Sequence, residues 1–229
     1  MQPDKPLSLC DLSGRSVHCA TSGSRAAYRR QGTERRVGAA FGRSWIAECA
    51  VIPRRREAVA VTLSGTDASE EIREARPDEY EALRAIEDAA DAMFADVGIG
   101  PFRQSEEENH LARAAVVFAI GDPAVGFACV EVVDGAAHIW QLSVHPRAAR
   151  RGRGRALVNA VCGWAVVNGL PAVTLTTFRD VAWNGPFYAG LGFREVEDLS
   201  PGLAAMRAHE RAIGDDNFGP RIAMREDLA

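Results

Sequence analysis

The chain has 229 residues, 47% hydrophobic and 25% charged, which is typical of a globular protein able to bury one core. No apolar run approaches the ~18 residues that span a bilayer, and the first twenty residues lack the apolar stretch of a secretory signal, so we expect a cytoplasmic protein with no membrane partner. The five cysteines are scattered without a CxxC pair, which argues against a disulfide framework and against a zinc site.

Charge divides the chain near residue 69. Residues 1–69 carry 11 Lys and Arg against 6 Asp and Glu, whereas residues 70–229 carry 16 against 25. The first part keeps no helical or strand period, so we expect a weakly structured or disordered basic extension over 1–69 and one domain over 70–229. Every basic residue except Lys5 is Arg, which is typical of a GC-rich coding sequence and suggests a bacterial source.

Two other interpretations of the extension stay open. Its arginine pairs and its triplet at 54–56 would suit an arm that binds nucleic acid. Aromatic residues are not interleaved with them and no known motif accompanies them, so a nucleic-acid partner is not favoured. Alternatively, translation begins at a start codon further downstream and the extension is not normally made.

Patterned segments begin at residue 71. A short strand over 71–75 precedes a helix over 77–94, which Pro77 opens and whose apolar residues recur at steps of three and four. Ser105 and Glu108 form a capping box that begins a second, shorter helix. Three strands then follow, separated by the turns Gly121-Asp122-Pro123 and Asp134-Gly135, at 115–120, 124–133 and 136–145.

The period then changes to that of a helix. A loop of Pro, Arg and Gly over 146–152 leads into a helix over 153–167, which Gly169 ends. The remaining elements are a strand at 173–178, a short helix at 186–191, a strand at 193–196, a helix at 203–213 and a strand at 221–225. Antiparallel strands followed by a strand-helix-strand unit predict a mixed α/β domain of the α+β kind with one central sheet.

The segment 142–157, LSVHPRAARRGRGRAL, reads as a strand, a basic loop and a helix start. Backbone N–H groups at Gly152 and Gly154, with the helix dipole behind them, predict a cradle for a pyrophosphate, and the arginines add positive charge. The loop is neither a Walker loop, since no Gly-Lys-Ser/Thr follows, nor a dinucleotide fingerprint. For the glycines alone, an ordinary solvated turn remains an equal alternative.

This segment resembles the acyl-CoA loop of the GNAT (GCN5-related N-acetyltransferase) family. In that family a strand ending Val-x-Pro leads into a Q/R-x-x-G-x-G/A loop, and the matching positions are Val144, Pro146, Gly152 and Gly154. Ala149 departs from the pattern, so one phosphate contact is either lost or taken over by Arg150 or Arg151. The later segment 184–193, NGPFYAGLGF, resembles the one that follows the fifth strand in these enzymes.

The resemblance covers residues 70–229 and implies a mixed, mostly antiparallel sheet flanked by helices, with acetyl-CoA as cosubstrate. It also implies an N-acetyltransferase that acts by direct attack in a ternary complex. Asn184 would bind pantetheine or the helix end, and its structural alternative is an N-cap for the helix that begins near Pro186. The other residues implied in acyl-CoA binding are Leu142, Val144, Arg150, Arg151, Gly152, Arg153, Gly154 and Arg155.

Amide formation from a thioester sets the catalytic requirements. An alkylamine with a pKa near 10.4 is neutral in on the order of one molecule in a thousand at pH 7, so its proton needs an acceptor. The resemblance implies His138 as the base and Tyr188 as the acid for the CoA thiolate; Glu131 is the next base candidate. Core packing is the alternative for both rings. Strand alternation predicts that one face carries His138, Trp140, Leu142 and Val144, although a bulge in the strand would alter this alternation.

The acceptor stays open at this point. A small primary amine, an amino acid, a polyamine or an aminated antibiotic is favoured, and Trp140 and Phe102 are candidates to line its pocket. A protein or peptide acceptor and a non-catalytic acyl-CoA-binding module are the alternatives. A homodimer is expected only from the resemblance.

Overall fold

The computed structural model describes residues 71–100 and 110–228. The basic extension over 1–69, Phe102 and the capping box of Ser105 and Glu108 lie outside these residues. The strands in chain order are β1 (Ile72–Glu74), β2 (Val116–Ile120), β3 (Gly126–Val133), β4 (Ala136–Val144), β5 (Ala172–Phe178), β6 (Arg194–Glu195) and β7 (Arg221–Asp227). The α-helices are α1 (Tyr80–Asp91), α2 (His110–Arg113), α3 (Arg153–Val167), α4 (Gly185–Ala189) and α5 (Pro201–Ile213).

All seven strands form one sheet in the order β1-β2-β3-β4-β5-β7-β6. Every neighbouring pair is antiparallel except β4 and β5, which are parallel. The turn between β3 and β4 has positive φ at both central residues, 50° at Asp134 and 76° at Gly135, as a two-residue hairpin requires. The predicted mixed, mostly antiparallel sheet flanked by helices is confirmed.

The two faces of the sheet are covered by different helices. Alternate side chains of β3 point to opposite faces, so Ala128 and Val130 join the core beneath α3, whereas Phe127 and Cys129 join the core beneath α1. Full burial of one leucine or phenylalanine stabilises the fold by roughly 1.5–3 kcal/mol. We call these surfaces the α3 face and the α1 face.

The helix predicted over 77–94 is interrupted at both ends. Pro77–Glu79 and Ala92–Val97 are 3-10 turns, and only the residues between them are α-helical. Gly98, with φ of 74°, ends the segment in the left-handed conformation that glycine adopts without steric cost.

Helix α5 begins at Pro201, two residues earlier than the sequence predicts. Proline fits the first helical position, and the carboxylate of Asp134 accepts the N–H of Gly202 at 2.7 Å, so the turn between β3 and β4 anchors the start of the helix. The helix is inserted between β6 and β7. Within the described residues, no helix is long and apolar enough to cross a membrane.

Candidate active site

The parallel strands β4 and β5 pair over only three residues and then separate. Their pairing runs from Ala137 opposite Val173 to Ile139 opposite Leu175, although both strands continue beyond it. The N–H of His145 donates to Val125 at 2.9 Å. Because N–H groups alternate along an antiparallel strand, those of Leu142 and Val144 point away from β3 into this opening.

A bulge in β4 changes which side chains share a face. Cys129 lies opposite Gln141 and Val130 lies opposite Ile139, so Trp140 is an extra residue in the strand. The prediction of one shared face is therefore wrong. His138 and Trp140 lie on the α1 face, with ring centroids 6.3 Å apart, whereas Leu142 and Val144 pack against the core of the α3 face.

The loop after β4 has the conformation that a phosphate cradle needs. Arg150 and Gly152 have positive φ of 61° and 80°, and α3 begins at the next residue. The first bond within the helix runs from the N–H of Ala156 to Gly152, so the N–H groups of the preceding turn are available to an anion. The exposed guanidinium groups around this turn belong to Arg150, Arg151 and Arg155.

The two glycines of the loop have different structural roles. A Cβ at Gly152 would meet nothing within 4 Å, so this glycine supplies the left-handed conformation and leaves open space in front of the helix. A Cβ at Gly154 would lie 3.3 Å from Cζ of Phe187, so this glycine lets α3 approach α4 closely.

The side chain of Arg153 braces the loop from inside. It is 9% exposed, and its Nη1 donates to the carbonyl oxygen of Ala148 at 2.6 Å. Its guanidinium therefore faces the loop backbone, and the group of Arg153 that can reach a phosphate is the backbone N–H. His145 also supports the loop, because its Nδ1 accepts the N–H of Arg147 at 3.2 Å.

Asn184 occupies the N-cap position of α4 but makes no capping hydrogen bond with its side chain. Its Nδ2 donates instead to Oγ1 of Thr177 on β5 at 2.7 Å. The other amide atom, Oδ1, is buried and has no hydrogen-bond partner among the described residues. A buried acceptor of this kind fits an amide N–H of pantetheine.

Tyr188 lies in the core of the α3 face, 7% exposed. Its ring centroid is 5.1 Å from that of Phe187 and 5.6 Å from that of Phe193, both at steep angles. Burial raises the pKa of the Tyr188 phenol well above its ordinary value, so the hydroxyl stays protonated at neutral pH. A protonated phenol is the form that a general acid needs.

The two predicted base candidates are cross-strand neighbours, since Glu131 of β3 lies opposite His138 of β4. His138 is 2% exposed, and burial lowers its pKa to about 4, although the charge of Glu210 opposes the shift. Burial raises the pKa of Glu131, opposed by Arg113, whose Nη2 lies 3.5 Å from the Glu131 carboxylate. Arg113 also stacks 5.7 Å above the ring of Trp140.

A buried ionic network borders the same face and was missed by the sequence reasoning. Arg207 and Glu210 of α5 are hydrogen-bonded, and Arg207 also binds both carboxylate oxygens of Asp216 at 2.9 and 3.0 Å. Glu210 accepts from Arg221 at 2.6 Å and from Thr176 of β5 at 2.5 Å. Burial opposes ionisation of Glu210, but these hydrogen bonds outweigh it and hold its pKa below the usual range.

No signal in the sequence could have found this network. Arg207 and Glu210 are spaced as an ordinary exposed pair on a helix, and their burial depends on how α5 packs against β7. Among the described residues, no group of three or more His, Cys, Asp or Glu side chains could hold a metal ion.

Comparison with known proteins gives one family and one fold. The model of the acetyltransferase (GNAT) family matches residues 70–193. N-acetylglutamate synthase from Neisseria gonorrhoeae, solved with coenzyme A and N-acetyl-glutamate, is similar with a TM-score of 0.53 and 20% identity over 72% of this chain. The aligned part is 36% of the synthase, so this chain corresponds to about a third of that protein.

Two further structures align over nearly their whole length. PaiA N-acetyltransferase from Thermoplasma acidophilum, solved with coenzyme A, has a TM-score of 0.51 and 16% identity, covering 70% of this chain and 99% of its own. A GNAT-family acetyltransferase from Staphylococcus aureus Mu50 has a TM-score of 0.52 and 17% identity, with the same coverage. Likeness at these identities establishes the fold.

Proposed function

The chain belongs to the GNAT acetyltransferase family and uses acetyl-CoA as its cosubstrate, and we propose that it acetylates the amine of a small acceptor, a primary amine, an amino acid or a polyamine. The observation that carries the proposal is the opening between β4 and β5. It joins the phosphate loop at the end of β4 to the polar α1 face, where an acceptor would meet the thioester.

The acyl-CoA would be held by the backbone along this opening. We place its pyrophosphate at the N–H groups of the first turn of α3, beside Arg150, Arg151 and Arg155. The outward N–H groups of Leu142 and Val144 would bind pantetheine and the thioester oxygen, and Oδ1 of Asn184 would accept a further amide N–H.

The size of the acceptor follows from α5. This helix lies over β5 and β7, because its Glu210 contacts Thr176 of β5 and Arg221 of β7. The turn between β3 and β4 holds its first residues in place. A covered face favours a small acceptor over an extended peptide.

Amide formation removes two protons from the acceptor ammonium and supplies one to the CoA thiolate, so one net proton is released to solvent. We assign the first task to His138, with Glu131 beside it as the alternative base, and the second to Tyr188. His138 and Glu131 lie on the α1 face and Tyr188 lies in the core of the α3 face, so base and acid lie on opposite faces of the sheet. Each transfer typically contributes 10²–10⁴ in rate.

The test is CoA thiol release from acetyl-CoA at a pH near 8, with panels of primary amines, amino acids, polyamines and peptides. We expect release with one class of small amine. Calorimetric binding of acetyl-CoA, measured in parallel, separates the alternatives: binding with release only on peptides would move the assignment to a peptide acetyltransferase. Binding with no release at all would indicate a non-catalytic acyl-CoA-binding module.

An acetyl-CoA-dependent reaction also requires a compartment that supplies acetyl-CoA, so the proposal places the enzyme in the cytoplasm.

A further inference from the structure

In the described part of the chain, His138 has one side-chain hydrogen-bond partner. Its Nδ1 lies 3.0 Å from Oγ1 of Thr174, the residue opposite it on β5. Both side chains are 2% exposed. A neutral imidazole carries its proton on either Nδ1 or Nε2, so this one hydrogen bond decides which nitrogen is free to accept a proton.

A cavity with a mixed polar and apolar wall borders Thr174. Its volume is about 80 Å³, and its wall includes Thr174 together with Asp134, Asp198, Ser200 and Arg225. A cavity needs only ~10–15 Å³ of such space to hold one water molecule, and this lining offers several hydrogen-bond partners. The cavity therefore suits ordered water next to the threonine.

Cavity water that accepts the proton of the Thr174 hydroxyl would set the direction of the hydrogen bond. A hydroxyl has one proton to donate and two lone pairs. When the Thr174 hydroxyl donates its proton to cavity water, a lone pair is left for His138, which must then donate from Nδ1. The Nε2 atom consequently has the free lone pair.

We propose that Thr174 is a positioning residue, which holds His138 as the tautomer protonated on Nδ1 so that Nε2 accepts the proton of the acceptor amine. In that step Nε2 takes a proton from the amine nitrogen as this nitrogen bonds to the thioester carbon and so becomes more acidic, and the ring becomes an imidazolium that still donates to Thr174. The catalytic part of this inference rests on the proposed function.

The surroundings of His138 supply a matched control. Glu131 and Trp140 face it from β3 and β4, Arg113 pairs with Glu131, and Glu210 approaches from α5. Thr176, two residues along β5, binds Glu210 and not His138. Thr176→Val thus removes a threonine hydroxyl from the same face of β5 but leaves the hydrogen bond of the imidazole intact.

The direct test is the histidine tautomer in ¹⁵N-labelled full-length protein, read from the long-range nitrogen–proton NMR correlations, with His138→Asn used to identify the ring. We expect His138 to be protonated on Nδ1 in the wild-type protein, in Thr174→Ser and in Thr176→Val. In Thr174→Val the ring loses its partner and the Nε2-protonated form becomes populated. An Nε2-protonated ring in the wild-type protein, or the same tautomer in Thr174→Val, would overturn the proposal.

The kinetic arm uses whichever amine the panel identifies. Thr174→Val should lower kcat roughly 10- to 100-fold, somewhat less than the full effect of a general base, with KM for acetyl-CoA within about twofold. Thr174→Ser should retain most of the activity. A Thr174→Val enzyme with unchanged kcat would overturn the positioning role. If no amine in the panel supports thiol release, the proposed function is refuted, and the tautomer measurement alone decides the role of Thr174.

Discussion

The α3 face of the sheet buries apolar side chains, whereas the α1 face buries charges and a histidine. Beneath α3 lie residues such as Val130, Leu157 and Leu175, and Tyr188 adds a single phenol. On the α1 face, His138 and Arg207 are 2% and 5% exposed, and both depend on a hydrogen bond to a neighbouring element.

Burial of polar groups is costly unless each is paired, so the two faces are stabilised in different ways. The α3 face is stabilised by packing, which tolerates many sequences, and the loop beside it presents backbone N–H groups that we propose bind the phosphates of acyl-CoA. On the α1 face the buried charges of Arg207 and Glu210 are fixed by specific partners. We infer that the α1 face carries the selectivity for the acceptor.

The substitution with the largest expected effect on stability is Glu210→Gln. The change keeps the side-chain volume but leaves Arg207 and Arg221 without their shared carboxylate, so we expect the free energy of unfolding to fall by about 3–5 kcal/mol. Urea denaturation followed by circular dichroism measures it.

The control is Asp227→Asn, which removes the exposed carboxylate bound by Arg194 and Arg225. Surface ion pairs contribute little, so the urea midpoint should not move. Equal losses in the two variants would remove the contrast between buried and exposed charge.

The second test is the pH dependence of stability that His138 causes. Its pKa is about 4 when folded and 6.5 when unfolded, so the unfolded chain binds more protons between these values. Stability should therefore be unaffected above about pH 7.5 and fall as the pH drops through 6.5. The full loss, about 3 kcal/mol, is reached below pH 4.

His138→Gln isolates this effect, because the carboxylates titrate in both proteins and cancel in the comparison. We expect unfolding free energies, measured from pH 7.5 to 4, to fall about 3 kcal/mol further in the wild-type protein. Parallel curves would mean that His138 is not buried in its neutral form.

Tyr188→Phe probes the one phenol in the apolar face. The ring packing against Phe187 and Phe193 is kept while the hydroxyl is lost, so kcat should fall by roughly 100-fold if Tyr188 protonates the thiolate. Affinity for acetyl-CoA, measured by calorimetry, should change by less than about twofold. Matching losses in kcat and affinity would assign the residue to packing.

The sequence predicts the features that depend on a few adjacent residues. The helix α3, the loop before it and the turn at Asp134-Gly135 follow from short-range signals, since positive φ and helix starts are properties of a few adjacent residues. The sheet strands follow from periodicity, and all of them appear within a few residues of their predicted ends.

The α1 face depends on contacts that sequence periodicity does not reveal. The bulge at Trp140 shifts the strand by one residue, so alternation assigned Leu142 and Val144 to the wrong face. The side chain of Asn184 binds Thr177 in place of the helix end because β5 passes beside α4. The network of Arg207, Glu210 and Arg221 joins an inserted helix to a distant strand.

The smallest expected effect concerns the loop before α3, which we propose binds the cosubstrate through its backbone. Gly152→Val places a β-branched side chain at φ of 80° and in the open space before α3, so we expect CoA affinity to weaken by at least about tenfold, or 1.4 kcal/mol. Gly163→Ala, within α3, is the control, since its Cβ would meet nothing within 4 Å and its position is already helical. Calorimetric titration of CoA into both variants and the wild-type protein measures the difference. If Gly152→Val binds CoA as tightly as Gly163→Ala, the first turn of α3 does not hold the phosphates, and the acyl-CoA would have to be held by side chains, as we infer for the acceptor.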